Sequence, residues 1–125
     1  MLFRFVRNSG ATAVIEGCGA NGLEYMTGGT AVILGPVGFN FAAGMTGGMA
    51  FVHDPEDEFR HRLNPESVIA QRVETEYWED HLLALIRHHA EETRSPHAQE
   101  ILAHWHRERE AFWQVVPREI GRAHV

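Results

Sequence analysis

Three groups of residues could do chemistry in this sequence: a glycine string around one cysteine, nine histidines and an acidic run. Gly17-Cys18-Gly19 begins a GxGxxG-like string that Gly22 completes. Such a string cradles a dinucleotide pyrophosphate when a helix follows it directly and an acid closes the next strand. Here another glycine-punctuated apolar run follows, so the string reads as a turn. Cys18 has no basic neighbour in sequence to stabilise a thiolate, and reads as a small residue filling a tight corner. A zinc site asks for two ligands at i, i+3 or i, i+4 and then a third group. His104 and His106 stand two apart and do not share a helix face. His81 and His88 lie two turns apart, and the position four after His81 is Leu85. The run His53-Asp54-Pro55-Glu56-Asp57-Glu58 lacks the ligand spacing and central glycine of a calcium loop and reads as a solvated turn. Ser9 and Ser95 have local roles as turn and helix cap. Thr27 and Thr46 recur at equivalent places, where a catalytic residue would be singular. The sequence therefore offers no catalytic set, no cofactor-binding residues and no metal ligands, and no cofactor is expected in this chain.

What the sequence does contain is a repeated phrase. Met26-Thr27-Gly28-Gly29 leads into Thr30-Ala31-Val32-Ile33, and Met45-Thr46-Gly47-Gly48 leads into Met49-Ala50-Phe51-Val52, an offset of 45 − 26 = 19. A fainter copy lies upstream, where Ser9-Gly10-Ala11 precedes Ala13-Val14-Ile15. From Ala13 to Ala31 the step is 18, and from Ala31 to Ala50 it is 19. Each apolar run is long enough for a strand and too short for a helix. The repeat glycines Gly10, Gly28, Gly29, Gly47 and Gly48 allow sharp turning, since glycine accepts φ > 0 without a Cβ clash. One coil of this length cannot bury its own apolar residues, but stacked coils share a continuous core.

The remaining elements follow in order. Leu2, Phe3 and Phe5 around Arg4 suit an opening strand. Phe41, Met45, Met49 and Phe51 are expected to stack inside the coils, with Asn40 in a polar ladder. Phe59 to Leu63 and Val68 to Val73 read as the last strands, with Asn64-Pro65 turning between them. From Thr75 the period becomes helical: Trp78, Leu82, Leu85 and His89 form one stripe, flanked by Leu83 and Ile86. Ser95 and Pro96 open a second helix with Ala98, Ile101, Leu102 and Trp105 on its buried stripe. Phe112 to Pro117 then leaves as an extended segment. The organisation is one structural unit: coils over residues 1–73, and a helical extension over 74–125 packed on the stack.

These motifs also carry a resemblance. Asn8-Ser9-Gly10-Ala11-Thr12-Ala13-Val14, Glu24-Tyr25-Met26-Thr27-Gly28-Gly29-Thr30, Leu34-Gly35-Pro36-Val37-Gly38 and Asn40-Phe41-Ala42-Ala43-Gly44-Met45-Thr46-Gly47-Gly48 resemble the C-terminal glycine-repeat (GXGXG) domain of the large (alpha) subunit of glutamate synthase. So do Asn64-Pro65-Glu66, Ser95-Pro96, Trp105 and Val115-Val116-Pro117-Arg118. The resemblance implies a mainly β fold: a short right-handed, single-stranded parallel β-helix followed by two C-terminal α-helices. It also implies a non-catalytic part in glutamate biosynthesis, holding amidotransferase and flavin synthase parts in position. The flavin, the iron–sulfur cluster and the glutaminase cysteine of that family lie in other domains. The family has several more coils before the Asn8-Ser9-Gly10 segment, which leaves an exposed N-terminal coil here. Its expected partner is another glutamate-synthase-like domain or subunit, or a second copy of this chain.

Composition narrows the alternatives. The chain has 125 residues, a net charge of −6, 11 arginines and no lysine. An acidic chain with scattered arginines argues against nucleic acid or an anionic membrane as partner. One cysteine excludes an internal disulfide and suits a reducing cytoplasm. No apolar run approaches a membrane span. Two other readings stay open: a stand-alone, self-associating β-helix protein, and a small metal-binding protein using its histidines.

Overall fold

The computed structural model describes residues 12–16, 27–35, 42–63 and 66–118. Their strands are β1 (Thr12–Ile15), β2 (Thr27–Ile33), β3 (Gly47–His53), β4 (Val68–Arg72) and β5 (Phe112–Pro117). Together they form one mixed sheet in the order β1-β2-β3-β5-β4. Helices α1 (Glu76–Thr93), α2 (Pro96–Ala103) and α3 (Trp105–Glu108) lie between β4 and β5 in the chain.

The repeat steps become the strand register. β1, β2 and β3 are parallel, with Ala13 beside Ala31 and Ala31 beside Ala50. Val14, Val32 and Phe51 make the next rank, and Ile15, Ile33 and Val52 the one after. The offset of 19 slips at the glycines: Thr27 pairs with Gly47 but Thr30 with Met49, so two residues of β2 oppose one of β3 in a bulge. Gly29 (φ 82°) and Gly48 (φ 83°) occupy the left-handed region there, where a Cβ would clash.

Both faces of the sheet are covered. On one, Ile15, Ala31, Ile33, Ala50, Val52, Trp113 and Val115 pack with Ala42, Met45 and Phe59 from the connections. On the other, Val32, Leu34, Phe51 and Phe112 pack against Leu82, Ile86 and Ala90 of α1 and Ala98 and Ile101 of α2. Successive strand side chains alternate between faces. Met49 and Phe51 therefore meet the helices, and do not join Met45 on the opposite side as expected.

Three further expectations need correction. Phe59 to Leu63 is not a strand: Phe59–His61 is a 3-10 turn, because the Asp54 carboxylate accepts from the Glu58 and Phe59 amides and folds the chain back. Phe112 to Pro117 does not leave the fold. Its near-continuous apolar sequence is that of a strand buried on both faces, and β5 inserts antiparallel between β3 and β4. The expected pair of helices is three, since His104 interrupts the second and Trp105 falls in the short α3. The helix starts are as read. Thr75 accepts from the Trp78 amide and Ser95 from the Ala98 amide, with Pro96 in the first turn of α2. Phe3, Phe5, Gly10, Cys18, the Gly17–Gly22 string, Asn40, Phe41 and Asn64-Pro65 lie outside the described residues.

If the stacked apolar ranks hold the sheet together, Ile33→Ala should lower unfolding free energy by about 2–5 kcal/mol. Tyr77→Ala, at a side chain 70% exposed, should change it by less than about 0.5 kcal/mol. Urea titration of both variants checks this, and equal losses would remove the argument.

Candidate functional site

The polar side chains with long-range partners collect where the parallel strands end. Glu16 follows β1, Leu34-Gly35 follow β2, and His53-Asp54 close β3. At each end the helical layer supplies a partner. Glu16 Oε2 meets His89 Nε2 of α1 at 2.8 Å and accepts from Ser95 Oγ at 2.9 Å. The Leu34 carbonyl accepts from His97 Nε2 of α2. His53 Nε2 lies 3.3 Å from Glu108 Oε1 of α3. A carbonyl or carboxylate oxygen can only accept, so each Nε2 in these last two contacts carries the hydrogen.

Asp54 is the most heavily engaged carboxylate. It accepts from the Glu58 amide at 3.0 Å, the Phe59 amide at 3.0 Å and Trp113 Nε1 at 2.9 Å. Arg72 lies 3.8 Å over the Trp113 ring and pairs with Asp57 at 3.5 Å. Burial opposes ionisation of Asp54, but these donors and the Arg72 charge outweigh it, so its carboxyl lies below the usual aspartate value. Glu16 behaves alike: burial pushes its carboxyl up, the bonds from His89 and Ser95 pull it further down, and the net shift is downward. His53 is 7% exposed, and burial holds its imidazole below the ordinary histidine value despite the Glu108 carboxylate.

Serine, histidine and a carboxylate thus come together at Ser95, His89 and Glu16, the residue types of a hydrolase triad. Their wiring differs from one. In a triad the histidine takes the serine proton and the carboxylate orients the histidine. Here the serine hydroxyl donates to the carboxylate and accepts from the Ala98 amide as a helix cap, so its oxygen has no base. His53 and Glu108 form an acid–base pair without a nucleophile. His53 and Asp54 line a cleft of about 380 Å³, with Leu34, Phe59, Arg62 and His97 on its walls. Asp54, already accepting three hydrogen bonds, has little capacity left for a substrate. Among the described residues no group of three or more His, Cys, Asp or Glu side chains could hold a metal ion. No described helix is long and apolar enough to cross a membrane.

The repeat glycines Gly28, Gly29, Gly47 and Gly48 all fall within β2 and β3 and away from these polar ends, and Gly10 is outside the described residues. Sequence reasoning missed the roles of Glu16, Asp54 and Glu108. Apart from the Glu58 and Phe59 amides that Asp54 takes locally, their partners lie 55 to 79 residues away, with no local spacing to announce them. The one local signal was the Ser95 cap, which was read correctly but without its bond to Glu16.

A family profile described as the GXGXG motif matches residues 3–118, and the chain belongs to that family. It is 63% identical over 115 residues to the glutamate synthase (NADPH) large chain of Azospirillum brasilense, over 92% of this chain and 8% of that protein. It is 48% identical over 112 residues to ferredoxin-dependent glutamate synthase 2 of Synechocystis sp., over 90% and 7%. With glutamate synthase (NADH) of Schizosaccharomyces pombe it shares 47% over 114 residues, or 91% and 5%. The chain therefore spans less than a tenth of the length of these relatives.

Asp54→Ala leaves the Trp113 indole N–H and two amides without their acceptor and should destabilise the chain by about 1–3 kcal/mol. Asp54 and Glu16 have depressed folded-state values, so their stabilisation is full above the ordinary values of 3.8 and 4.5 and is lost as pH falls through the folded ones. Urea unfolding from pH 7 to pH 3 should show a loss below about pH 4.5 that is smaller in Asp54→Ala than in the parent.

Proposed function

We propose that this chain is a non-catalytic scaffold module of a glutamate-synthase-like enzyme. It holds an amidotransferase unit and a flavin-containing synthase unit in register, so that ammonia passes between them without escaping. The observation that carries this reading is the 63% identity along 92% of the chain to a glutamate synthase large chain. The polar geometry supports it, because the best-connected groups tie strands to helices and do not converge on a common reacting atom.

On this reading β1, β2 and β3 are one wall of a short right-handed β-helix. In-register steps of 18 and 19 residues support it, as does the packing of Ala42 and Met45 against the Ala31–Val52 face. Residues 1–73 are the coils and 74–125 the extension, joined as one unit in the cytoplasm. The partners are other glutamate-synthase-like domains or subunits, and flavin and iron–sulfur chemistry belongs to them. One observation favours self-association as a second reading: among the described residues the outer edge of β1 has no paired strand, and such an edge is a template for another chain.

Affinity capture from the source organism's lysate should bring down a flavin-dependent synthase or a glutaminase chain, identified by mass spectrometry. The purified chain alone should turn over neither glutamine nor 2-oxoglutarate. Turnover by the chain alone would sink the scaffold reading. Capture of its own copies only, with a dimer by light scattering, would favour self-association.

A further inference from the structure

The cleft at the ends of β2 and β3 encloses about 380 Å³, at the small end of ligand pockets, about 300–1,000 Å³. Its floor is apolar, since the buried residues Leu34, Val52 and Phe59 line it. Its polar groups are nearly all acceptors. The His53 side chain is 5% exposed, and its Nε2 hydrogen is turned to Glu108, which does not line the cleft. Nδ1 therefore points away from Glu108 and makes no hydrogen bond to a described residue. Among the described residues, the side-chain nitrogens shut away from solvent without a partner are Arg72 Nη1 and Trp105 Nε1. His53 Nδ1 is not one of them, and it opens on the cleft that its ring lines. Burial favours the neutral ring, so this nitrogen offers a lone pair. His97, with its Nε2 hydrogen given to the Leu34 carbonyl, offers a second one from a ring 6.0 Å away.

We propose that this cleft takes a guanidinium group, the side chain of an arginine presented by another protein chain. The charge around it has the right sign. Asp54, Glu56 and Glu58 line the cleft against Arg62, and Arg62 is already paired with Glu58. Asp54 accepts three hydrogen bonds within the chain and adds only its charge. Glu56 is exposed, with no ion pair or hydrogen bond among the described residues. A lining of acceptors asks for a group that only donates, and a guanidinium carries five donors and no acceptor. It is also more weakly hydrated than an ammonium, so it enters a cleft with apolar walls where lysine would stay in water. In this arrangement the methylene stem lies on Leu34, Val52 and Phe59, one edge of the fork donates to His53 Nδ1, and the other reaches the Glu56 carboxylate. A free amino acid fits less well. Its α-carboxylate would meet Glu56 and Glu58 with Arg62 already engaged, whereas within a polypeptide that group is a neutral amide. The site stands on the chemistry of the cleft and does not depend on the scaffold reading.

Titration of the full chain, labelled with ¹⁵N at histidine, with N-acetyl-arginine amide at neutral pH tests this by ring-nitrogen NMR. The His53 Nδ1 signal should move and saturate in the millimolar range. N-acetyl-lysine amide and free arginine should each bind at least about tenfold more weakly, the worth of one charge-assisted hydrogen bond. Glu56→Gln, at an exposed position, should weaken the arginine amide by about tenfold. His88→Gln, at a side chain 73% exposed, should leave its binding unchanged. His53→Phe removes the Nδ1 acceptor and should weaken binding by a similar factor, read at His97. Should that variant fail to fold, the parent chain and Glu56→Gln still decide. Absence of a saturable shift at His53, or unchanged binding in Glu56→Gln, overturns the site. Equal affinity for the lysine amide overturns the guanidinium assignment, and equal affinity for free arginine overturns presentation by a protein chain.

Discussion

The structure depends on one constraint: three parallel strands must stack in register with small side chains in the same rank. Ala31 and Ala50 are fully buried side by side, and their small size lets Ala42 and Met45 close over them. Shifting one strand by a single residue would send its whole apolar set to the opposite face. The bulge at Gly28-Gly29 absorbs the one-residue shift in pairing between Thr27–Gly47 and Thr30–Met49 before the ranks begin. Glycine is required where φ is positive at Gly29 and Gly48, and the apolar ranks downstream inherit the alignment.

A parallel stack leaves an edge and two faces to cover, and the rest of the chain covers much of both. β5 pairs antiparallel with β3 and carries β4 on its other side. All six of its residues are buried, so it is as central as any strand of the repeat. Gln114 is its polar exception, and its amide reaches the Met49 sulfur at 3.2 Å. The helices cover the face that carries Val32 and Phe51. Polar ties at the strand ends then fix where the layers meet. Asp54 sets the 3-10 turn and holds Trp113, while Glu16 joins β1 to both α1 and α2. Such groups look like chemistry in a residue list and act as fasteners in space.

Much of this was legible in the sequence because it is local or periodic. The strand register follows from alanine steps that can be counted, the start of α1 from the change of period at Thr75, and the cap of α2 from Ser95-Pro96. Phe112–Pro117 was readable as extended but not as central, because its partners β3 and β4 lie about forty or more residues earlier and pairing has no local signature. Phe59–His61 reads as a strand by composition, and only the Asp54 carboxylate turns it. His104 ends α2 where the helical period would run on to Trp105. The site was the least legible part. The nine histidines gave no ligand spacing, and three of them, His53, His89 and His97, prove to share one seam through contacts that span the chain.

The scaffold account makes a claim about coupling, and coupling can be measured directly. A glutamine-hydrolysing unit and a flavin synthase unit would be combined with and without this chain, following glutamate formed against ammonia released to solution. The account predicts that the chain leaves each unit's separate activity unchanged and, when present, suppresses ammonia release while glutamate formation rises in step with glutamine consumed. Equal ammonia release with and without the chain would contradict it.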